Sequence, residues 1–231
     1  VFGGHVEGEV SWHLHDHTAS TGKLAISDID VATLTSFIPE LERTSGHVSG
    51  NLTMYAADER APEPLRIDME LLPTDGMLRG VPWGVTTATA YVGDTRVIID
   101  KAQFAVADGS AGIWASISQR EGDWYLQTQT DFNRIEYDHL RRSFEPNGQP
   151  VRARLTGNVR VGGAIEPFRN MTGQGRIDVT ESDLANHSIF GSVMTRLGAS
   201  ERPTEPQGRG EANFRVERGA LFIDYLDYEN R

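Results

Sequence analysis

Three histidines at alternate positions are the residues of this chain whose spacing could most directly do chemistry. His13, His15 and His17 would share one face of a β-strand, where three imidazoles could hold Zn²⁺ and leave a fourth position open. Trp12 and Leu14 would then occupy the opposite face, as in an ordinary half-buried strand with a polar outer row. We therefore interpret the histidines as a polar strand face and keep zinc binding as the alternative hypothesis.

Carboxylates are the other abundant catalytic side chains, with 33 Asp and Glu residues in the chain. Pairs such as Asp28 with Asp30, or Asp224 with Asp227, could act as a general acid and base. At this density, however, such neighbours arise by chance. Gly173-Gln174-Gly175 lacks a third glycine and leads into a strand, so it fails the context of a dinucleotide-binding loop. We predict no enzymatic activity and no cofactor.

The charge and composition of the chain argue against several classes of function. A net charge of −11 argues against binding to nucleic acid or to an anionic membrane surface, because both need a basic patch. The chain has no cysteine, which excludes disulfide scaffolds, thiol catalysis and cysteine-based zinc sites. No apolar stretch is long enough for a membrane span. The chain starts at Val1 without methionine, and we expect it to be a piece of a longer protein.

Alternation of apolar and polar residues recurs along the chain and predicts strands. The run from Leu65 to Leu71 alternates apolar with charged residues, and the run from Gly173 to Val179 also alternates. Turn residues separate such runs about every 8–12 residues, and Asp108-Gly109 is the strongest hairpin signal. We predict a mainly β protein that is built from hairpins.

About three short amphipathic helices are predicted between the strands. The first follows Asp28 or Asp30, either of which can cap it, and its apolar positions reach Leu41. The second opens over Phe132–Ile135, and the third runs from Asp183 to Leu197.

A module of strand, helix and glycine-led strand is predicted three times. Such a unit cannot bury its apolar face alone and must stack on its neighbours. The three glycine-led strands are Val48–Met54, Leu155–Val161 and Gly208–Val216. We divide the chain into sub-units of about 1–60, 61–130 and 131–231.

The region from Thr172 to Arg231 has the most characteristic pattern: a glycine-rich strand, an apolar helix and two further strands. Its defining segments are Gly173–Val179, Asp183-Leu184, Met194–Gly198, Gly208–Val216 and Arg218–Leu221. This pattern resembles the conserved region of the AsmA-like superfamily, the AsmA/TamB type of bacterial cell-envelope protein. We identify the chain by this resemblance as a fragment from the C-terminal region of such a protein.

The resemblance implies a long, strongly curved antiparallel sheet that is folded into a groove. Members of the family are anchored in the inner membrane, extend into the periplasm and are thought to carry phospholipid acyl chains towards the outer membrane. We therefore expect a non-enzymatic periplasmic segment that binds acyl chains, with its anchor in other parts of the parent chain and an outer-membrane protein as a partner. The residues expected to line the groove are Ile177, Val179, Phe214, Val216, Leu221 and Ile223.

Two other functions remain open from the residues alone. A secreted domain that binds or hydrolyses carbohydrate would show converging carboxylates in a polar cleft lined by Trp12, Trp83, Trp114 or Trp124. A structural module for adhesion or assembly would show a sealed core. An uninterrupted apolar trough that is open to solvent would favour lipid binding, because burial of apolar surface is its driving force.

Overall fold

We determined the fold from a computed structural model of the 231-residue chain. The structure describes residues 3–11, 13, 20–36, 44–56, 64–78, 80–144, 147, 150–165, 170–183, 208–218 and 220–229.

One antiparallel sheet contains every described strand. Its order follows the chain, from the first strand to the twelfth, so that each strand pairs only with its neighbours in sequence. The twelve strands are β1 (His5–Ser11), β2 (Thr21–Asp30), β3 (Ser45–Ala56), β4 (Leu65–Leu78), β5 (Val81–Val92), β6 (Arg96–Val106), β7 (Gly109–Arg120), β8 (Asp123–Glu136), β9 (Arg154–Ala164), β10 (Thr172–Ser182), β11 (Gly208–Glu217) and β12 (Ala220–Glu229). The sheet is curved and does not close, which confirms the predicted mainly β, curved antiparallel architecture.

A β-bulge interrupts each even-numbered strand from β2 to β10. Each bulge contains a residue in the left-handed region that is not glycine, and these residues are Asp28, Asp75, Lys101, Arg134 and Glu181. In β2, β4, β8 and β10 this residue lies within three positions of the C-terminal end of the strand, so these four bulges form a line along one end of the sheet. The bulge in β6 lies farther from the end of its strand. Bulges bend a strand and increase its twist, and we attribute the curvature of the sheet to this line.

The buried core lies at the bulged end, which we call the rim. The rim holds three small apolar clusters rather than one continuous core: Ile29 with Val31 and Val48, Val81 with Ala107 and Ile135, and Val151 with Ala153. Backbone hydrogen bonds tie these segments together beyond the bulges. Ala107 N–H donates to the carbonyl of Pro82 at 3.0 Å, and Glu136 N–H donates to the carbonyl of Ala107 at 2.8 Å.

Two of the predicted repeats have the same local contacts. The backbone N–H of bulge residue Asp28 donates to Ser49 Oγ at 3.0 Å, and that of Arg134 donates to Thr156 Oγ1 at 3.1 Å. The glycines that follow these hydroxyl residues are equivalent as well. A Cβ at Gly50 or at Gly157 would overlap a backbone carbonyl oxygen of the next strand.

The structure describes two helices, and both are short. Helix α1 (Val31–Thr35) begins at Asp30, whose carboxylate accepts from Ala32 N–H as predicted for a cap. Helix α2 (Tyr137–Phe144) begins later than predicted, because Phe132–Ile135 continues strand β8 through its bulge. The third predicted helix lies outside the described residues, apart from its first residue, Asp183. Neither described helix has the length and apolarity required to cross a membrane.

Candidate functional site

The pairing register gives the sheet one continuous apolar face. Val6 pairs with Ile26 at one edge, and Phe214 pairs with Ile223 at the other. Paired residues of an antiparallel sheet point to the same side, so the face can be followed from strand to strand. One apolar residue on this face from each strand, in order, is Val6, Ile26, Leu52, Met69, Ala90, Ile99, Ile113, Phe132, Val159, Ile177, Phe214 and Ile223.

No second layer formed by the described residues covers this apolar face. The main contacts of each described strand are with its sheet neighbours, and β2, β3 and β5 also contact the two short helices at the rim. On the inner strands the larger side chains of the face are only partly buried, as at Leu52, Ile113 and Val159, whereas the small side chains of Ala88 and Ala115 between such neighbours are buried. On the edge strands it is open, with Val10 67% and Ile223 60% exposed. The described part of the chain therefore presents a continuous apolar face to its surroundings.

The predicted lining residues lie together on this face. Ile177 pairs with Ala212, Phe214 pairs with Gly175, and Val179 is two residues from Ile177 on the same side of β10. Val216 pairs with Leu221, which places these two positions on the face as well. Ile223 is the most exposed of the set for which exposure is described.

Glycines on the apolar face make room for aromatic rings. A Cβ at Gly175 would lie 2.5 Å from Phe214 Cζ, so the ring occupies the space that a side chain there would need. A Cβ at Gly157 would lie 3.0 Å from Phe132 Cζ in the same way. The glycine-rich strands are therefore covered by neighbouring rings, and the face stays apolar across them.

Ion pairs between close neighbours characterise the opposite face. Arg176 Nη2 lies 3.0 Å from Asp178 and 3.2 Å from Glu211. Arg215 lies 2.8 Å from Asp224 and 2.6 Å from Glu217. These pairs raise the pKa of Arg176 and of Arg215, first through the hydrogen bonds to Asp178 and Asp224. They are half exposed, so this side of the sheet is a hydrated polar face.

Two carboxylates near the rim are bound by arginines. Burial would raise the pKa of Asp138, but hydrogen bonds from Arg141 and Val151 N–H and the charge of Arg142 bring it below its ordinary value. Burial likewise acts against the ionised form of Glu181, and the flanking Arg134 and Arg154 lower its pKa. Asp138 binds the backbone N–H of Val151, and Glu181 joins arginine side chains of β8 and β9, so we interpret both carboxylates as structural.

The predicted histidine row lies mostly outside the described residues, so it stays a prediction. Strand β1 ends at Ser11, and His13 follows it. The side chain of His13 is exposed, and its backbone N–H donates to Ser20 Oγ at 3.0 Å. His15 and His17 lie outside the described residues.

A different set of possible metal ligands converges at the rim. Asp108, Glu136 and His139 place one ligand atom each within 4.8 Å of one another. Asp108 Oδ2 lies 3.6 Å from His139 Nδ1, and Asp108 is exposed. Sequence reasoning missed this set because Asp108 lies in a turn 28 positions before Glu136, and no local pattern relates that turn to Glu136 at the end of β8 and His139 in α2.

Comparison with known proteins adds no family to this description. No family model, curated protein or solved structure matches this chain. The resemblance to the AsmA-like superfamily thus rests on the segments of residues 172–231 quoted above, and function has to be argued from the surfaces of the sheet.

The composition of the apolar face determines its chemistry. An apolar face with partly buried side chains can remove hydrocarbon from water, gaining about 25 cal/mol for each Å² of apolar surface buried. The interaction has no preferred direction, so it does not hold a chain at one position. The face can therefore bind extended apolar molecules without a discrete pocket.

Proposed function

We propose that this chain is a non-enzymatic segment of a bacterial cell-envelope protein, and that its apolar face binds phospholipid acyl chains. The observation that carries the proposal is the apolar face that continues across all twelve strands without a covering layer of described residues. Monomeric soluble proteins rarely expose apolar patches of more than a few hundred Å², and larger ones mark interaction sites. An extended hydrocarbon chain is the ligand that matches a long and featureless apolar surface.

Movement of a bound lipid along the sheet follows from the same physics. Each methylene group that leaves water contributes about 0.8 kcal/mol wherever it lies on the face, so neighbouring positions are close in energy. A lipid can then pass from strand to strand while its headgroup stays in water at the edge. We infer from this that the segment conducts lipid between membranes rather than storing a single molecule.

The location of the protein belongs to the same proposal. The resemblance of residues 172–231 supports a periplasmic position, with the parent chain anchored in the inner membrane. It also supports a role in building the outer membrane together with an outer-membrane protein. The exposed apolar positions on edge strands β1 and β12 are compatible with extension of the apolar face by further strands.

The test is native mass spectrometry of the protein purified from a bacterial envelope without detergent, with lipid extraction from the same sample. Val159→Asp places a charge on the apolar face of β9. Its neighbour Asn158→Asp places the same charge on the exposed polar face of the same strand. We expect phospholipid to co-purify with the wild-type protein and with Asn158→Asp, and to fall severalfold with Val159→Asp.

Circular dichroism shows whether both variants keep their strand content. A lipid-free wild-type protein would refute the proposal. Equal lipid content in the two folded variants would refute the assignment of the apolar face.

A further inference from the structure

The polar face of the sheet has furrows that run across the strands. Each furrow lies between two lateral rows of side chains, and the backbone between the rows is its floor. One of them has a volume of about 760 Å³ and crosses β7 to β11. We call it the Trp114 furrow. The row along one side consists of Trp114, Gln129, Arg160, Gln174 and Arg215.

The pairing register makes this row continuous. Trp114 pairs with Gln129, Gln129 with Arg160, Arg160 with Gln174, and Gln174 with Arg215. The five side chains therefore point to the same side on five adjacent strands. Gln127 and Thr172 stand on the opposite side of the furrow, and Gly162 leaves a gap between them.

Several polar groups in the furrow are available to a ligand. The side chains of Gln127 and Gln174 have no hydrogen-bond partner in the part of the chain that the structure describes. Arg160 and Arg218 form no ion pair with any described acidic residue. Arg215 differs, since Asp224 and Glu217 already bind its guanidinium. The available charge in the furrow is therefore positive.

Two other furrows of the same face provide an internal comparison. One is lined by Glu7, Glu9 and Lys23, and the other by Asp68, Glu70 and Lys101. Both are acidic in balance, as expected for a protein of net charge −11, and neither contains a tryptophan. The Trp114 furrow differs from these two furrows in its positive charge and in its exposed aromatic ring. An ordinary hydrated sheet face requires neither feature.

We propose that the Trp114 furrow binds an anionic saccharide chain. The negative face of the Trp114 indole, 38% exposed, attracts the C–H face of a sugar ring. The amides of Gln127 and Gln174 both donate and accept, which matches sugar hydroxyl groups. The Arg160 guanidinium presents paired donors to a carboxylate or phosphate, and Arg218 adds a second positive charge.

The direction of the furrow fits this ligand. Neighbouring strands lie about 4.8 Å apart, and an extended glycan advances by a similar distance for each sugar. A saccharide that lies across β7 to β11 would place about one sugar on each strand, or about five in all. A single-stranded nucleic acid fits less well, because it needs successive stacking rings and a strongly basic groove, and this furrow has one tryptophan.

Isothermal titration calorimetry with an oligogalacturonate of about six sugars tests the proposal. We expect Trp114→Ala to weaken binding by about tenfold or more, the size typical of a central tryptophan in an interface. Arg160→Gln should weaken it by a similar factor. Trp124→Ala is the matched control, since Trp124 is 41% exposed but lies on the apolar side of the sheet. It should change the affinity less than twofold.

Titrations with three further ligands show whether the furrow prefers an anionic saccharide to other molecules. A neutral gluco-oligosaccharide of equal length should bind more weakly than the uronate, and inorganic phosphate alone should not compete with it. An absence of uronate binding, equal losses in Trp114→Ala and Trp124→Ala, or tighter binding of a single-stranded oligonucleotide would each overturn the proposal. Trp114→Ala should keep its co-purifying lipid, so this result and that for the apolar face are independent.

Discussion

Removal of the Asp138 carboxylate should destabilise the rim more than removal of any surface acid. Asp138 in α2 is buried, with a side chain 8% exposed, and Arg141 beside it is 5% exposed. Asp138 Oδ1 accepts from Arg141 Nη2 at 2.8 Å and from the backbone N–H of Val151 at 3.2 Å. Arg142 binds the second carboxylate oxygen. One side chain thus joins α2 to the segment that leads into β9.

The expected cost follows from this burial. In Asp138→Ala the guanidinium of Arg141 stays buried but loses this carboxylate, and breaking a buried pair on one side costs about 3–5 kcal/mol. The double variant Asp138→Leu with Arg141→Met should recover much of the loss, because apolar residues then replace both charges. The assay is urea unfolding followed by far-ultraviolet circular dichroism. Asp178→Ala is the control, since its pair with Arg176 is half exposed, and it should have a much smaller effect.

The dependence on pH has a definite sign. The pKa of Asp138 in the folded protein lies below its ordinary value of 3.8, so its contribution to stability is fully present above that pH. As the pH falls below 3.8 the contribution is lost, and the difference between wild type and Asp138→Asn should shrink. A loss below about 1 kcal/mol for Asp138→Ala, or no recovery in the double variant, would refute the reasoning.

Three further predictions concern the strands next to the bulges. Gly50→Ala and Gly157→Ala should each lower the urea midpoint of unfolding clearly, because the added Cβ would overlap a carbonyl oxygen, whereas Gly112→Ala, with 4.0 Å to the nearest atom, should be close to neutral. Thr156→Val should cost about 1 kcal/mol in the same assay by removing the hydroxyl that accepts from a bulge N–H, and an unchanged midpoint would contradict that role. Glu181→Gln should lower the midpoint at pH 7 but leave it unchanged at low pH, where the wild-type carboxylate is protonated, since its folded pKa lies below the ordinary 4.5. A loss that is the same at both pH values would rule out the charge of Glu181 as its cause.

The strands were predictable because a half-buried strand repeats every two residues. Leu65 to Leu71 shows this period, and the same period places each apolar side chain on one face. The bulges were not predictable, since residues such as Lys101 and Glu181 have no intrinsic preference for the left-handed region. The early start predicted for α2 has the same cause. The bulge at Arg134 breaks the alternation over Phe132–Ile135, and the spacing then imitates a helix.

The functional surfaces were predictable only in part. The apolar face follows from alternation within single strands, so its members near the C-terminus, such as Ile177 and Phe214, could be identified in advance as a set. The Trp114 furrow depends on the lateral register of five strands. Trp114 and Arg160 are 46 positions apart in the chain, and no local pattern relates them. The turn between β6 and β7 lies one residue earlier than the predicted Asp108-Gly109 turn. Its left-handed residues are Ala107 and Asp108, and Gly109 already begins β7.

Stability and binding are assigned to different parts of this sheet. The buried clusters lie at the rim, and Ile135 there is 4% exposed. Ile135→Ala should therefore cost about 2–5 kcal/mol, as for other large aliphatic residues in a core. Val159→Ala on the partly exposed apolar face should cost less than half as much, because less surface returns to water. Urea unfolding of the two variants measures the contrast. A cost for Val159→Ala equal to that for Ile135→Ala would mean that the face is a sealed core, and a sealed core could not bind lipid.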